Sequence, residues 1–174
     1  MATAIMTEVR GQMTDDRRQI NSNPAKISHQ QAMNTAVRIL THRDHSKFEL
    51  RQKLRQRGFT SKVIDTVMVA CERFNYINDH RTARVYISQL KRKCFGKRYI
   101  RMALKKKRLS GKAIENILLE NYPEADEHEN AGKLLEKKME TFEREADLKK
   151  RREKIYRFLY SRGFSPALIR ELVK

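Results

Sequence analysis

The feature that most constrains this chain is an internal repeat. Leu54-Arg-Gln-Arg57-Gly58-Phe59-Thr60 returns as Leu159-Tyr-Ser-Arg162-Gly163-Phe164-Ser165, with a weaker copy at Leu104-Lys-Lys-Lys107-Arg108-Leu109-Ser110 between them. Flanking apolar positions keep the same register. Leu50, Ile100 and Ile155 stand four residues before the shared Leu; Ile64, Ile114 and Ile169 stand ten after it, and Val67, Ile117 and Leu172 three further on. Self-similarity at this period marks a repeat architecture, in which each unit is one small supersecondary motif.

Each copy is readable as helix, turn, helix. Apolar residues four apart (Leu50/Leu54, Ile100/Leu104, Ile155/Leu159) form one buried helical stripe. Gly58 and Gly163 fall where a helix ends, since glycine takes the left-handed conformation without a steric penalty. Thr60, Ser110 and Ser165 follow as N-cap candidates, with Pro166 at a first helical position. Ser46 and Glu49 read as a capping box. Arg108 replaces the glycine in the middle copy, which predicts a turn made differently there. A further helical pattern precedes each pair: Ala36, Ile39 and Leu40; Ala83, Tyr86, Ile87 and Leu90; Ala131, Leu134, Leu135 and Phe142.

The expected fold is therefore all-α, an elongated tandem array of three three-helix repeats. Its expected parts are a flexible arm over residues 1–35 and repeats over 36–78, 79–123 and 124–174. Asn21-Ser22-Asn23-Pro24 reads as turn chemistry within the arm. The charged stretch Glu140 to Glu153 predicts an extended helix or loop in the third repeat. A hydrophobic fraction of 39% requires a thin or divided core.

Charge is distributed unevenly. The net charge is +18, and residues 80–114 hold thirteen Lys and Arg with no acid. A helix over 97–108 would carry Arg98, Arg101, Lys105 and Arg108 along one stripe beside Ile100 and Leu104, with Lys91, Arg92, Lys93 and Lys97 around the preceding turn. Nothing local compensates these charges, so the stretch suits a polyanion or an acidic protein groove. The candidate partner- or DNA-binding residues are Lys91, Arg92, Lys93, Lys97, Arg98, Arg101, Lys105, Lys106, Arg108 and Lys112. Phe95 and Tyr99 could stack on bases, but the edge of a helical core is the better reading.

Catalytic chemistry is not visible, and no cofactor or metal is implied. Cys71 and Cys94 are too few for a disulfide framework and read as reduced thiols. His42 and His45 lack a third ligand at a sensible spacing. There is no phosphate-cradling Gly loop and no Gly-x-Ser-x-Gly elbow. Glu124-Ala-Asp126-Glu127-His128-Glu129 reads as a solvated helix start, where acids favour the helix dipole. No eighteen-residue apolar run and no signal-like start is present, so a cytoplasmic protein without membrane contact is expected.

These residues resemble a known family. Ala36-Val37-Arg38-Ile39-Leu40-Thr41-His42-Arg43-Asp44-His45-Ser46, then Glu49-Leu50, Leu54 and Gly58-Phe59, is similar to the opening signature of RecX proteins. Tyr76-Ile77-Asn78-Asp79, the Gly96/Ile100/Leu104 element and Phe158-Leu159-Tyr160-Ser161-Arg162-Gly163-Phe164-Ser165 resemble its later elements in the right order. The resemblance runs from about residue 36 to the end. It departs at Asn78, where the family usually has Asp, at Thr82, where an aromatic is common, and at Arg108, where Gly is usual. It implies a negative regulator of RecA. Such a protein lodges along the RecA–DNA filament and suppresses filament extension, ATP hydrolysis, strand exchange and co-protease activity. RecA is then the main partner, single- and double-stranded DNA are nonspecific secondary ones, and a monomer is the simplest state. The alternative is a sequence-nonspecific nucleic-acid-binding protein acting through its basic middle repeat.

Overall fold

The computed structural model describes residues 24–173, with side chains from Ser28 onward. These residues are helical and contain no strand. They fall into two compact units divided between Ile77 and Asn78.

The first unit holds α1 (Pro24–His42), α2 (Lys47–Arg55) and α3 (Ser61–Arg73). Helix α1 begins inside the segment expected to be a flexible arm, with Pro24 at its first position. Alanines at 32 and 36 pack fully buried on its inner face. Residues 1–23, with most of the predicted turn at 21–24, lie outside the described residues. Ser46 opens α2 with the expected capping box: its hydroxyl accepts from the Glu49 amide, and the Glu49 carboxylate accepts from the Ser46 amide. Thr60 precedes α3 in extended geometry, but its hydroxyl makes no capping bond.

The second unit holds α4 (Asp79–Arg92), α5 (Lys97–Lys106), α6 (Lys112–Asn121), α7 (Glu124–Glu136), α8 (Met139–Glu143), α9 (Leu148–Ser161) and α10 (Pro166–Leu172). Asn78 caps α4 through its side-chain oxygen, which accepts from the His80 and Arg81 amides. Ser165 caps α10 through the Leu168 amide, with Pro166 next. The charged stretch of the third repeat resolves into the short helix α8 and a loop that ends at Asp147, the cap of α9. Phe142 therefore sits on α8, not on the preceding helix, and is still buried.

The core is divided, one cluster per repeat. Leu50, Leu54, Ile64 and Val67 lie in the first; Ile100, Leu104, Ile114 and Ile117 in the second; Ile155, Leu159 and Ile169 in the third. These are the registered positions of the repeat. Burying each such side chain stabilises by about 1.5–3 kcal/mol, so the repeated letters are the apolar contacts themselves.

Two expectations fail in the middle repeat. Arg108 does not change the turn. It adopts the left-handed conformation itself, at φ 58°, beside Gly58 at 83° and Gly163 at 89°. The closing bonds are the same in all three copies: Phe59, Leu109 and Phe164 donate their amides to the carbonyls of Leu54, Leu104 and Leu159. Fixing an L-residue there costs about 1–2 kcal/mol, which burial of Leu109 offsets. Ser110 is also not the cap of α6. The helix starts one residue later, after Gly111 at φ 104°.

Candidate functional site

The basic residues of the second repeat separate into two groups once folded. The first group is held within the protein. Helix α5 ends at Lys106, so Arg108 lies in the turn and not on the helical stripe. Lys97, at the first position of α5, is buried. Its Nζ lies 3.4 Å from Glu127 Oε2, and its backbone amide donates to Glu127 Oε1 at 2.7 Å. Both side chains are only 8% exposed, which removes Lys97 from any partner-binding surface. Lys91 pairs with Asp126, donates to the Asn121 carbonyl and lies over the Tyr122 ring. The Arg98 guanidinium stacks 4.1 Å from the Tyr160 ring and donates from Nη1 to the Phe164 carbonyl at 3.4 Å. Arg101 grips Glu115 with two nitrogens, Nε at 2.9 Å and Nη2 at 2.6 Å from the same oxygen. That hydrogen-bonded carboxylate raises the Arg101 pKa above its ordinary value.

Nothing within the stretch compensates these charges, but acids farther along the chain pair with several of them. Glu115, Asp126 and Glu127 do so from the segments that follow the acid-free stretch. In particular, Asp126 and Glu127 belong to the supposed solvated helix start, of which Glu127 is 6% exposed.

The second group stays on the surface. Arg92 ends α4 and Lys93 follows it, Lys105 and Lys106 end α5, and Lys112 begins α6; all are exposed and, among the described residues, make no ion pair. Arg108 is exposed in its turn, and Lys107 lies 4.7 Å over the Tyr86 ring. The cations at the ends of α4 and α5 also complement the negative ends of those helix dipoles.

What holds this surface in place is a junction between the second and third repeats. The Gly96 and Arg98 amides donate to the carbonyls of Arg162 and Gly163, at 2.9 and 3.1 Å. Backbone touches backbone here. A Cβ on Gly96 would fall well inside 3.0 Å of the Gly163 carbonyl, and one on Gly163 would strike Tyr99 as closely. Phe95 and Tyr99 stack on each other at 4.0 Å, and the Arg162 guanidinium lies over both Phe95 and Phe158. Phe95 and Tyr99 are half-buried against the core of the second repeat.

Beneath the junction Tyr122 is fully buried, with Asn130 Nδ2 donating to its hydroxyl at 3.1 Å and to the Lys91 carbonyl at 3.2 Å. Burial pushes the Tyr122 pKa up, so the phenol stays protonated. Sequence reasoning missed Glu127, Tyr160 and Arg162 as organisers of the basic repeat. Their partners lie thirty or more residues away, and no local pattern signals such pairs. It also passed over Met102, which is 59% exposed in the middle of the cationic face of α5.

Among the described residues no three His, Cys, Asp or Glu gather to hold a metal ion, both cysteines are free, and no helix is long and apolar enough to cross a membrane. His45 is buried in the loop before α2, its Nδ1 2.8 Å from the Arg43 carbonyl, and burial lowers its pKa.

Comparison with known proteins agrees along the chain. Models of the first, second and third three-helix domains of RecX match residues 32–70, 78–118 and 125–173. The regulatory protein RecX of Vibrio vulnificus (strain CMCP6) is 38% identical over 136 residues, 78% of this chain and 86% of that protein. Its counterpart in Haemophilus influenzae (strain PittGG) is 34% identical over 134 residues, 76% of this chain and 86% of that one. The crystal structure of RecX from Lactobacillus salivarius shares the fold, with a TM-score of 0.76 at 21% identity over 85% of this chain and 96% of its own. Three domain matches in order, on three repeats with the same turn, place this chain in the RecX family of regulatory proteins.

Proposed function

We propose that this protein is a negative regulator of RecA that binds the RecA–DNA filament and restrains its extension, ATP hydrolysis, strand exchange and co-protease activity. It acts in the cytoplasm, as a monomer, with contacts to single- and double-stranded DNA as a secondary source of affinity. Family membership supports the role. The observation that carries the choice of surface is the set of exposed cations without an internal ion pair: Arg92, Lys93, Lys105, Lys106 and Lys112. Lys91, Lys97, Arg98 and Arg101 belong to the fold of that surface, so their loss would damage its geometry along with its charge.

The test is a titration of RecA's ATPase activity on single-stranded DNA at two salt concentrations. Regulation of the filament predicts inhibition at protein amounts well below the RecA concentration, in salt where binding to naked DNA is already weak. A protein that works through phosphate contacts alone would lose roughly 10³–10⁵ in DNA affinity between 50 and 200 mM salt for about 6–10 contacts, and its inhibition would fall with it. Reversing Lys105, Lys106 and Lys112 to Glu should abolish inhibition while leaving helicity intact. Full inhibition by that variant sinks the choice of surface.

A further inference from the structure

The exposed positions of α5 are Arg101, Met102, Lys105 and Lys106. Met102 is thus an apolar side chain set among cations, with Arg98 one turn before it and Lys105 and Lys106 one turn after. At 59% exposure it lies outside the core of its repeat, whose α5 members are Ile100, Ala103 and Leu104. A second exposed apolar side chain lies on α6, the helix that the Arg101–Glu115 pair ties to α5. Leu119, 48% exposed, follows Glu115 by one turn of α6, and Glu115 holds Arg101. A single exposed apolar residue needs no explanation. Here Met102 stands next to Arg101 on α5 and Leu119 one turn after Glu115 on α6, the Arg101–Glu115 pair links the two helices, and the exposed cations Lys105, Lys106 and Lys112 lie on the same two helices; exposed apolar side chains amid charge are the composition of a protein interface.

We infer that the α5–α6 face docks into an apolar groove with an acidic rim on a protein partner, with Met102 and Leu119 as its anchors. Charge complementarity selects the acidic rim. The anchors select protein over nucleic acid, because a phosphate backbone is held by cations and hydrogen-bond donors and offers no apolar floor. Methionine suits such a seat, being unbranched and able to fill an irregular pocket. The inference rests on the reading that this face binds the RecA filament, and it names what that contact is made of.

The experiment compares two sets of surface substitutions in the full-length protein. Met102→Gln with Leu119→Gln changes polarity at constant charge, and Lys105→Gln with Lys106→Gln changes charge. Each is measured for binding to RecA filaments on single-stranded DNA and, separately, to the naked DNA, with circular dichroism confirming the fold. The apolar pair should weaken filament binding at least about tenfold and leave naked-DNA binding unchanged, since anchor residues carry most of an interface's energy. The lysine pair should weaken both. If only the lysine pair weakens filament binding, the anchors are refuted while the basic face stands as the contact. If neither pair alters filament binding, the choice of face falls and the inference with it. Equal losses on filament and naked DNA from the apolar pair would assign Met102 and Leu119 to nucleic acid and overturn the protein groove.

Discussion

Gly58 and Gly163 occupy the same place in the repeat and have nearly the same backbone, yet their surroundings differ. Gly58 has open space around it, whereas Gly163 is pressed against Tyr99 and its carbonyl takes the Arg98 amide. The contrast extends to the first positions of α2 and α5. Lys47 and Lys97 correspond in register, and each pairs with a carboxylate. The Lys47–Glu72 pair has both side chains 43% exposed, while the Lys97–Glu127 pair is buried. Ser46 caps α2 with its hydroxyl, but its counterpart Gly96 has no side chain, because the Gly163 carbonyl fills that space. One motif thus does two jobs. In the first repeat it ends a helix; between the second and third it also joins two repeats into one body.

The comparison can be broken by matched substitutions, read by urea denaturation of the full chain. Lys97→Ala should produce the largest loss, about 3–5 kcal/mol, because it leaves the Glu127 carboxylate buried without its cation. Lys47→Ala, in an exposed pair, should cost at most about 1 kcal/mol. Equal losses would mean that the junction is not the reason Lys97 matters. Gly163→Ala should cost about 2–4 kcal/mol, combining left-handed strain with a clash against Tyr99. Gly58→Ala carries the strain alone and should cost about 1–2 kcal/mol.

Smaller effects sharpen the assignment of the caps. Ser165→Ala removes a hydroxyl that accepts from the Leu168 amide and should cost about 1 kcal/mol. Ser110→Ala, one residue outside the helix start, should stay within about 0.5 kcal/mol. The smallest predicted effect is the pH dependence from His45. Burial lowers its folded-state pKa below the ordinary 6.5, so the folded protein favours the neutral ring. That stabilisation is fully present above pH 6.5 and is lost as the pH falls through 6.5 towards the folded-state value. The urea midpoint should drop from pH 7.5 to 5.5 more in the native protein than in His45→Asn, and identical drops would remove His45 as a cause.

The repeat was legible because burial repeats. Leu54, Leu104 and Leu159, with Ile64, Ile114 and Ile169, recur as letters because each repeat needs the same side chains in its own core. Ser46 with Glu49 and Ser165 with Pro166 were legible too, since a cap acts within four residues. At Arg108 the absence of glycine does not signal a change of shape. Left-handed backbone costs an arginine only a modest penalty, and the same closing bond to Leu104 forms regardless.

Helix α1 begins earlier than its apolar period shows. Its first turns, from Pro24, carry no sustained apolar period, and the fully buried Ala32 and Ala36 are too small to stand out in a hydropathy pattern.

The threefold helical architecture, the concentration of positive charge in residues 80–114 and the family were therefore determined by the sequence itself, through short-range periodicity and composition. Which of those cations remain available was decided only by the tertiary structure. Lys97 lies next to Arg98 and five residues from Met102, and nothing local distinguishes their fates. Glu127 buries the first, Tyr160 holds the second, and Met102 is left outside, because the ion pair and the ring contact form between residues 30 and 62 positions apart. Electrostatic pairing depends on distance in space, and a sequence states only distance along the chain.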